Sequence, residues 1–373
     1  MIQTTNILTY LEMIPDPRTF RLKHRLVDVV AIAILAKICG AEGWEDMNEF
    51  ALSRKEWLGS FLELPGGTPS PDTFRRVVCN IQPDAFLEAF LEWIKSVQEI
   101  LPELVSLDGK TLRSAIKYGS GPLHIVNAWC GKNRMILGQV RTQAKSNEIS
   151  AIPDLLKQLI LPVGCVITID AAGTQKNIAA QIRDMKADYL LALKGNHPKL
   201  REEVETYFTQ AAEAGNEFAP LNEFTTEEQG HGRLELRRVF ATDDIEWLEQ
   251  KTGWRDLKTI IKIESTRWSG GERSQENRYY ITSLPPSAEP LAAAIRGHWG
   301  VENQCHWTLD VVFKEDESLI TEGYAPENLR VMNLLVAKML KAEKTCKKGI
   351  RAKQFKASLN HEYLCRVLEA SVF

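Results

Sequence analysis

The sequence predicts a mixed α/β protein that begins with a helical region. Apolar residues recur at helical spacing up to about residue 100, the period shortens at Leu104, and helical segments then alternate with short apolar runs. The chain has 373 residues, of which 44% are hydrophobic and 25% are charged. This length and composition are typical of a globular protein with two or three domains.

The helical region is predicted from four apolar or amphipathic stretches. They are "LVDVVAIAILAKICGAEG", "WEDMNEFALSRKEWLGSFLEL", "SPDTFRRVVCNI" and "PDAFLEAFLEWIKSVQEI". The third has Ser70 as a candidate N-cap and Pro71 at the first helical position, where the missing N–H of proline costs nothing.

Five strands are predicted after Leu104. They are "LVSLDGKTL", "LHIVNAWC", "RMILGQVRT", "CVITIDAA" and "DYLLALKG". The first three follow one another closely, as in an antiparallel meander, whereas a helix precedes each of the last two, as in parallel crossover units. After Lys199 we expect a Glu-rich helix, three further strands, and then the helix "EPLAAAIRGHWGVENQCHWTLDVVF".

Three acidic residues on separate segments predict a metal site. Asp108 lies within the first strand, Asp170 ends the fourth, and Glu302 lies on the late helix. Buried carboxylates need a partner, and carboxylate oxygens suit Mg²⁺. Two such ions about 3.5–4 Å apart can support phosphoryl transfer. For either Asp alone, a role in a turn or a helix cap is the alternative.

The histidines beside Glu302 allow a second interpretation. His298, Glu302 and His306 are four residues apart and would share a helix face, as in a zinc site. The His-Glu-x-x-His spacing of zinc proteases is absent, so packing or DNA contact is favoured for both histidines.

Cysteine usage and hydropathy indicate a cytoplasmic protein without a membrane partner. Seven dispersed cysteines with no Cys-x-x-Cys pair favour reduced thiols. The apolar run "VVAIAILA" is too short to cross a bilayer, and the first residues lack the features of a signal peptide. The net charge is −3, yet residues 330–356 hold nine Lys or Arg against one acid, which indicates either a polyanion partner or a solvated helix face.

Seven motifs in a fixed order resemble those of one protein family. They are "LVSLDGKTLRSA", "KSNEISAIPDLL", "TIDAAGTQKNIA", "DYLLALKGNHP", "GHGRLELRRV", "RYYITSL" and "IRGHWGVENQCHWTLDVVFKED". With the N-terminal "DPRTFRLKHRLVDVVAIAILAKICGAEGWEDM" and "GGTPSPDTFRRV", they resemble the H-repeat-associated family, a branch of bacterial insertion-sequence transposases. The resemblance covers nearly the whole chain.

The resemblance implies a ribonuclease-H-like catalytic core of the Asp-Asp-Glu type. It places a helical, DNA-end-binding domain at 1–100, the first part of the core at 101–199, a β-rich insertion at 200–285, the second part with the Glu helix at 286–345, and a basic C-terminal tail at 346–373.

The family's catalytic triad corresponds to Asp108, Asp170 and Glu302, the acids that the strand pattern also indicates. The resemblance implies two Mg²⁺ ions, for which Mn²⁺ can substitute, cleavage of DNA at element ends, and transfer of the 3′-hydroxyl into target DNA. The implied partners are the terminal repeats, target DNA and a second copy of the chain. The expected location is the cytoplasm, at the nucleoid when the protein is bound to DNA.

The region around Glu302 departs from a common family pattern. Many related transposases have Tyr, Arg and Lys seven and four residues before and seven residues after the Glu, where this chain has Ile295, His298 and Leu309. The candidates for DNA contact are Lys110, Arg113, Lys194, Arg296, His298, Trp299 and Lys314. Trp299 and Trp307 could stack on a splayed base, with core packing as the alternative. A basic cluster at 18–25 is the candidate for recognising element ends.

Three alternatives to a working transposase stay open from the sequence. A nuclease of the same fold would cut without joining, a DNA-binding relic would not cut, and an unrelated hydrolase would depend on zinc.

Overall fold

One nine-stranded sheet forms the centre of the protein. The computed structural model describes residues 6–20, 22–97, 103–112, 123–142, 148–214, 220–230 and 232–371. The strands are β1 (Leu104–Leu112), β2 (Leu123–Cys130), β3 (Met135–Thr142), β4 (Val166–Ile169), β5 (Asp188–Leu193), β6 (Asn222–Gly230), β7 (Arg233–Thr242), β8 (Thr259–Ser269) and β9 (Glu272–Thr282).

The strand order is 3-2-1-4-5-9-8-7-6. β1, β2 and β3 are antiparallel neighbours, as the close spacing of their sequences predicts. β4 pairs with β1 and β5, both times in parallel, because a helix returns the chain before each pairing. The strands after residue 200 extend this same sheet, since β9 pairs antiparallel with β5.

Strand β6 was not predicted. Its sequence, "NEFTTEEQG", has few apolar residues, and most of its side chains are exposed. It forms the outer edge of the sheet and pairs with β7 alone. Charged residues on an edge strand discourage pairing with another chain, so acidic residues are typical of this position. The same residues remove the apolar pattern by which a strand is predicted.

Helices cover both faces of the sheet. They are α1 (Ile7–Leu11), α2 (Leu26–Ile38), α3 (Trp44–Ser53), α4 (Lys55–Leu58), α5 (Pro71–Asn80), α6 (Pro83–Val97), α7 (Glu148–Gln158), α8 (Lys176–Asp184), α9 (Pro198–Ala214), α10 (Ala288–His298), α11 (Ala325–Ala342), α12 (Ile350–Leu359) and α13 (His361–Glu369). None of the helices in the described ranges is both long and apolar enough to cross a membrane.

The N-terminal helices share their apolar core with the C-terminal ones. Every residue of α2 is buried, and α2 packs against α3, α5 and α11. A helix that is apolar on all sides needs cover all round. The core cluster of α1–α6 therefore continues into α11, α12 and α13. The domain boundary near residue 100 stays a prediction, but the core crosses it.

The expected basic tail is a pair of packed helices. α12 and α13 lie beyond residue 346, and their apolar positions Ala357, Tyr363, Leu364 and Val367 are buried. The extent of the basic segment at 346–373 stays a prediction, and the structure shows that this segment is helical and partly buried. Two of the basic residues at 330–356 also stabilise the fold. Arg330 is fully buried, and Lys353 donates to the backbone carbonyl of Leu340 at 2.7 Å.

Glu343, which directly follows α11, contacts residues of both α12 and α13. Its carboxylate is 2% exposed, accepts hydrogen bonds from the Thr345 backbone N–H at 2.6 Å and the Tyr363 hydroxyl at 2.7 Å, and lies 3.7 Å from the Lys353 ammonium. Burial alone would raise the pKa of Glu343, but the hydrogen bonds from Thr345, Tyr363 and Cys346 outweigh it and lower the pKa to about 2.

We expect the contribution of Glu343 to stability to disappear in acid. A carboxyl whose pKa is lower in the folded state stabilises the fold above its ordinary pKa of 4.5, and this stabilisation is lost as the pH falls towards 2. Glu343→Gln should lower the free energy of unfolding by about 1.5–3 kcal/mol at pH 7. Urea unfolding from pH 7 to pH 2.5 should show that difference shrinking. Glu362→Gln, at a carboxylate that is 84% exposed, is the control. A Glu343→Gln deficit that does not change with pH would contradict this role.

Candidate active site

The pairing of β1 with β4 places Asp108 beside Asp170. The parallel register aligns Leu107 with Ile169, so the next position along both strands holds the two acids. Paired strands lie about 4.8 Å apart. The two preceding side chains on the same face, Ser106 and Thr168, share a hydrogen bond of 3.0 Å between their hydroxyls. Both carboxylates therefore lie on the face that α10 covers.

Glu302 reaches this face from a π-helical segment. α10 ends at His298, and the chain continues through π-helical turns at Val301–His306 and Thr308–Val312. Such wide turns are rare and frequently mark functional sites. Cys305, His306 and Leu309 are buried, whereas the Glu302 side chain is 64% exposed. The sequence predicted one ordinary α-helix here, because hydrophobic periodicity does not distinguish a π turn.

His306 joins Asp108 and Glu302. Its Nδ1 lies 3.4 Å from Oδ2 of Asp108 and 3.2 Å from Oε2 of Glu302. The potential ligand atoms of the three residues all lie within 4.8 Å of one another. The sequence analysis favoured packing or DNA contact for His306. The structure places it against two of the predicted triad acids.

Asp170 is not a member of that group. It is exposed at the end of β4, and its Oδ1 accepts the backbone N–H groups of Ala172 at 3.0 Å and Gly173 at 3.2 Å. The carboxylate thus closes the turn after β4, which is the alternative role considered for a single Asp.

His298 precedes Glu302 by four residues and contacts a different group from His306. Its Nδ1 is 2.9 Å from the Thr168 hydroxyl. Burial lowers the pKa of His298, and the negative charge of Asp170 opposes that shift. The packing interpretation fits this residue better than contact with DNA, and the two histidines do not form one zinc site with Glu302.

Two buried cations, Lys110 and Arg330, share the carboxylate of Glu315 near this group. The Lys110 ammonium contacts Asp310 and lies 3.1 Å from Oε2 of Glu315, which also accepts from Arg330 at 2.6 Å. Burial, together with the positive charges of Arg330 and Lys110, lowers the pKa of His306 to about 2.

The prediction that Lys110 contacts a DNA phosphate is not supported. Its side chain is 9% exposed and engaged by carboxylates. The sequence could not reveal this because these acids lie about 200 residues further along the chain.

The remaining predicted DNA-contacting residues lie on the surface or outside the described residues. Lys194 is exposed just after β5, the exposed Arg296 pairs with Glu228 at 2.6 Å, and Lys314 pairs with Glu42 at 3.0 Å. Arg113 lies outside the described residues. Of the basic cluster at 18–25, Arg18 and Arg25 pair with nearby acids.

An exposed aromatic and a missed arginine lie beside the site. Trp299 is 45% exposed, and the Arg278 guanidinium lies over its ring at 4.6 Å. Arg278 was not predicted because the pairing of β9 with β5, which places it near Lys194, is not visible in the sequence.

The donor set fits a divalent cation. Asp108 and Glu302 offer oxygen and His306 offers nitrogen, and their potential ligand atoms lie within 4.8 Å of one another. Carboxylate oxygen suits Mg²⁺ and Mn²⁺, and imidazole nitrogen suits the later transition metals.

Comparisons with known proteins agree with these features. A family model described as "DDE_Tnp_1-associated" matches residues 8–94, and one described as "Transposase DDE domain" matches residues 101–337. "Putative transposase YncI" of Escherichia coli O157:H7 is 39% identical over 97% of this chain and 94% of its own length. "H repeat-associated putative transposase YhhI" of Escherichia coli strain K12 is 35% identical over 99% of both chains. A solved synaptic complex of piggyBac transposase with hairpin DNA covers 99% of this chain and 78% of its own, with 10% identity and a TM-score of 0.43, too low to assign a shared fold.

Proposed function

The chain belongs to the DDE transposase family, in its H-repeat-associated branch, and on that premise we propose that it cuts DNA at the ends of an insertion sequence and joins the 3′-hydroxyl to target DNA. One observation carries this proposal. Asp108 and Asp170 follow paired positions of two neighbouring parallel strands, and ligand atoms of Asp108, Glu302 and His306 lie within 4.8 Å of one another.

We propose a ribonuclease-H-like core for the part of the sheet that holds these acids. The order 3-2-1-4-5, in which β2 runs antiparallel to β1, β3, β4 and β5, supports that assignment. Strands β6–β9 would then be the family's β-rich insertion.

Asp108, Asp170 and Glu302 would hold the divalent cations, Mg²⁺ or Mn²⁺. When bound, two such ions activate an attacking oxygen and stabilise the leaving oxygen of an in-line phosphoryl displacement. The two backbone N–H groups at Ala172 and Gly173 orient the Asp170 carboxylate. The buried pair of Arg330 with Glu315 fixes the segment that follows the π-helical turns.

Residues around the acids would position DNA. Lys194, Arg278 and Arg296 offer cations to the phosphate backbone, a contact that fixes register without reading sequence. Trp299 and Trp307, both about half exposed, offer faces on which an unstacked base can rest. We also propose a homo-oligomer in the active complex, because joining two element ends in one reaction needs two such sites.

The experiment that tests this function uses a plasmid carrying the gene's own flanking DNA. With Mg²⁺ or Mn²⁺, the full chain should release the element and give joined products. Cutting without joining would replace the proposal with the nuclease alternative. Binding of the ends without any cutting would favour the relic, and activity restored only by zinc would favour a zinc hydrolase.

DNA binding should weaken steeply with salt. Each phosphate contact releases condensed counterions, so log K should fall with log[salt] at a slope of about −0.9 per phosphate contacted. We expect Arg278→Ala to reduce the magnitude of the slope by about 1. Lys258→Ala, at an exposed lysine directly before β8, should leave the slope unchanged. Fluorescence anisotropy from 50 to 300 mM salt measures both. An affinity that does not depend on salt would remove phosphate contact from the account.

A further inference from the structure

We propose that His306 is a nitrogen ligand of one divalent cation, together with Asp108 and Glu302. The inference rests on the proposed metal-dependent function and deepens it. One cation position would have a mixed nitrogen and oxygen shell, while the position nearer Asp170 would have protein oxygen only.

The spacing of the donor atoms fits ligands that share an ion. His306 Nδ1 lies 3.4 Å from Asp108 Oδ2 and 3.2 Å from Glu302 Oε2. Two ligands about 2.1 Å from one ion lie about 3.0 Å apart at octahedral angles and about 3.4 Å apart at tetrahedral angles. Hydrogen bonds from N–H to oxygen are usually 2.7–3.2 Å, so at least the longer distance suits shared coordination better.

The burial of His306 has no other polar explanation in the described residues. The residue is 4% exposed, and its Nε2 has no hydrogen-bonding partner within the described ranges. A buried polar ring in a native protein is normally satisfied by hydrogen bonds. Within the described ranges, the ring nitrogen Nδ1 faces the carboxylates of Asp108 and Glu302.

The π-helical turn accounts for the selection of His306 over His298. Both histidines are four residues from Glu302, and an α-helix would place them on one face. The wide turn at Val301–His306 directs His306 to Asp108, while His298 remains against Thr168.

A nitrogen ligand changes which metal binds. Mg²⁺ binds oxygen almost exclusively, whereas imidazole is a good ligand for transition metals, and affinity for nitrogen-containing sites rises from Mn²⁺ to Cu²⁺. We therefore expect one site of the full chain to bind Mn²⁺ at least about tenfold more tightly than Mg²⁺.

The test is pulsed electron paramagnetic resonance of Mn²⁺ bound to the full chain without DNA. The spectrum of the wild type should contain ¹⁴N coupling from one histidine. In protein labelled with ¹⁵N-histidine, a ¹⁵N coupling should replace the ¹⁴N coupling. This readout needs no variant, so a folding defect cannot obscure it. Mn²⁺ bound with oxygen coupling only would overturn the inference and leave the proposed function standing. Failure to bind Mn²⁺ at all would overturn both.

Two matched variants separate coordination from simple positioning. His306→Asn keeps an amide near the place of Nδ1, which can donate to Glu302 but coordinates poorly. It should lose the ¹⁴N coupling and about 10- to 100-fold in Mn²⁺ affinity. His298→Asn, at the same spacing from Glu302, should keep both. Retention of the ¹⁴N coupling in His306→Asn, or its loss in His298→Asn alone, would contradict the assignment.

Discussion

Asp170→Asn should abolish DNA cleavage while leaving the fold intact. The amide oxygen of Asn can accept the same backbone N–H groups that Oδ1 of Asp170 accepts from Ala172 and Gly173, so the turn after β4 should be preserved. The charge needed to hold a cation is lost. Metal ions contribute several kcal/mol to such reactions, so the cleavage rate should fall about 10³-fold or more. Single-turnover cleavage of a labelled element end measures this rate.

Asp154→Asn is the matched control for that experiment. Asp154 lies on α7, its side chain is 64% exposed, and it pairs with Lys157, so the substitution removes the same charge away from the site. It should cut at the wild-type rate, and both variants should bind the element end. Cleavage by Asp170→Asn within about threefold of the wild type would remove Asp170 from the site.

Glu315→Leu should cause a large loss of stability. Arg330 is fully buried, and Glu315 is the one carboxylate to which it donates within the described residues, at 2.6 Å. Without it, a guanidinium stays buried with no counter-charge. Breaking a buried pair in this way costs about 3–5 kcal/mol. Lys110 keeps contacts with Asp310 and Asp316, so the loss should come mainly from Arg330.

The double variant Glu315→Leu/Arg330→Met provides the internal control. It removes both charges and leaves apolar side chains of similar length, which is often nearly neutral for stability. Urea unfolding of the two single variants and the double variant gives the coupling free energy directly. We expect the double variant to recover most of the loss. Losses that simply add would show that the pair does not act as a unit.

The sequence predicts two of the candidate metal-binding acids from the positions of their strands. Asp108 interrupts an apolar strand and Asp170 ends another, and period-2 patterns reveal such positions. The order of the first five strands follows from the lengths of their connections, and the family assignment from the motifs is confirmed.

Features that depend on contacts across the chain could not be predicted. Lys110 follows Asp108 on the same strand face and looked like a phosphate-binding cation, but its partners lie on the segment after the π-helical turns. The basic bias at 330–356 suggested a polyanion surface, yet Arg330 and Lys353 are internal ion-pair partners. The role of His306 depends on the π-helical winding, which leaves no signature in hydrophobic periodicity.

The central claim is that Asp108, Asp170 and Glu302 hold divalent cations at one site. Oxidative cleavage of the polypeptide by bound Fe²⁺, with ascorbate and peroxide, tests this claim most directly because hydroxyl radicals cut the backbone only near the ion. We predict cuts near residues 108, 170 and 302, all suppressed by excess Mn²⁺. Cuts confined to other segments, or cuts that Mn²⁺ does not suppress, would contradict the claim.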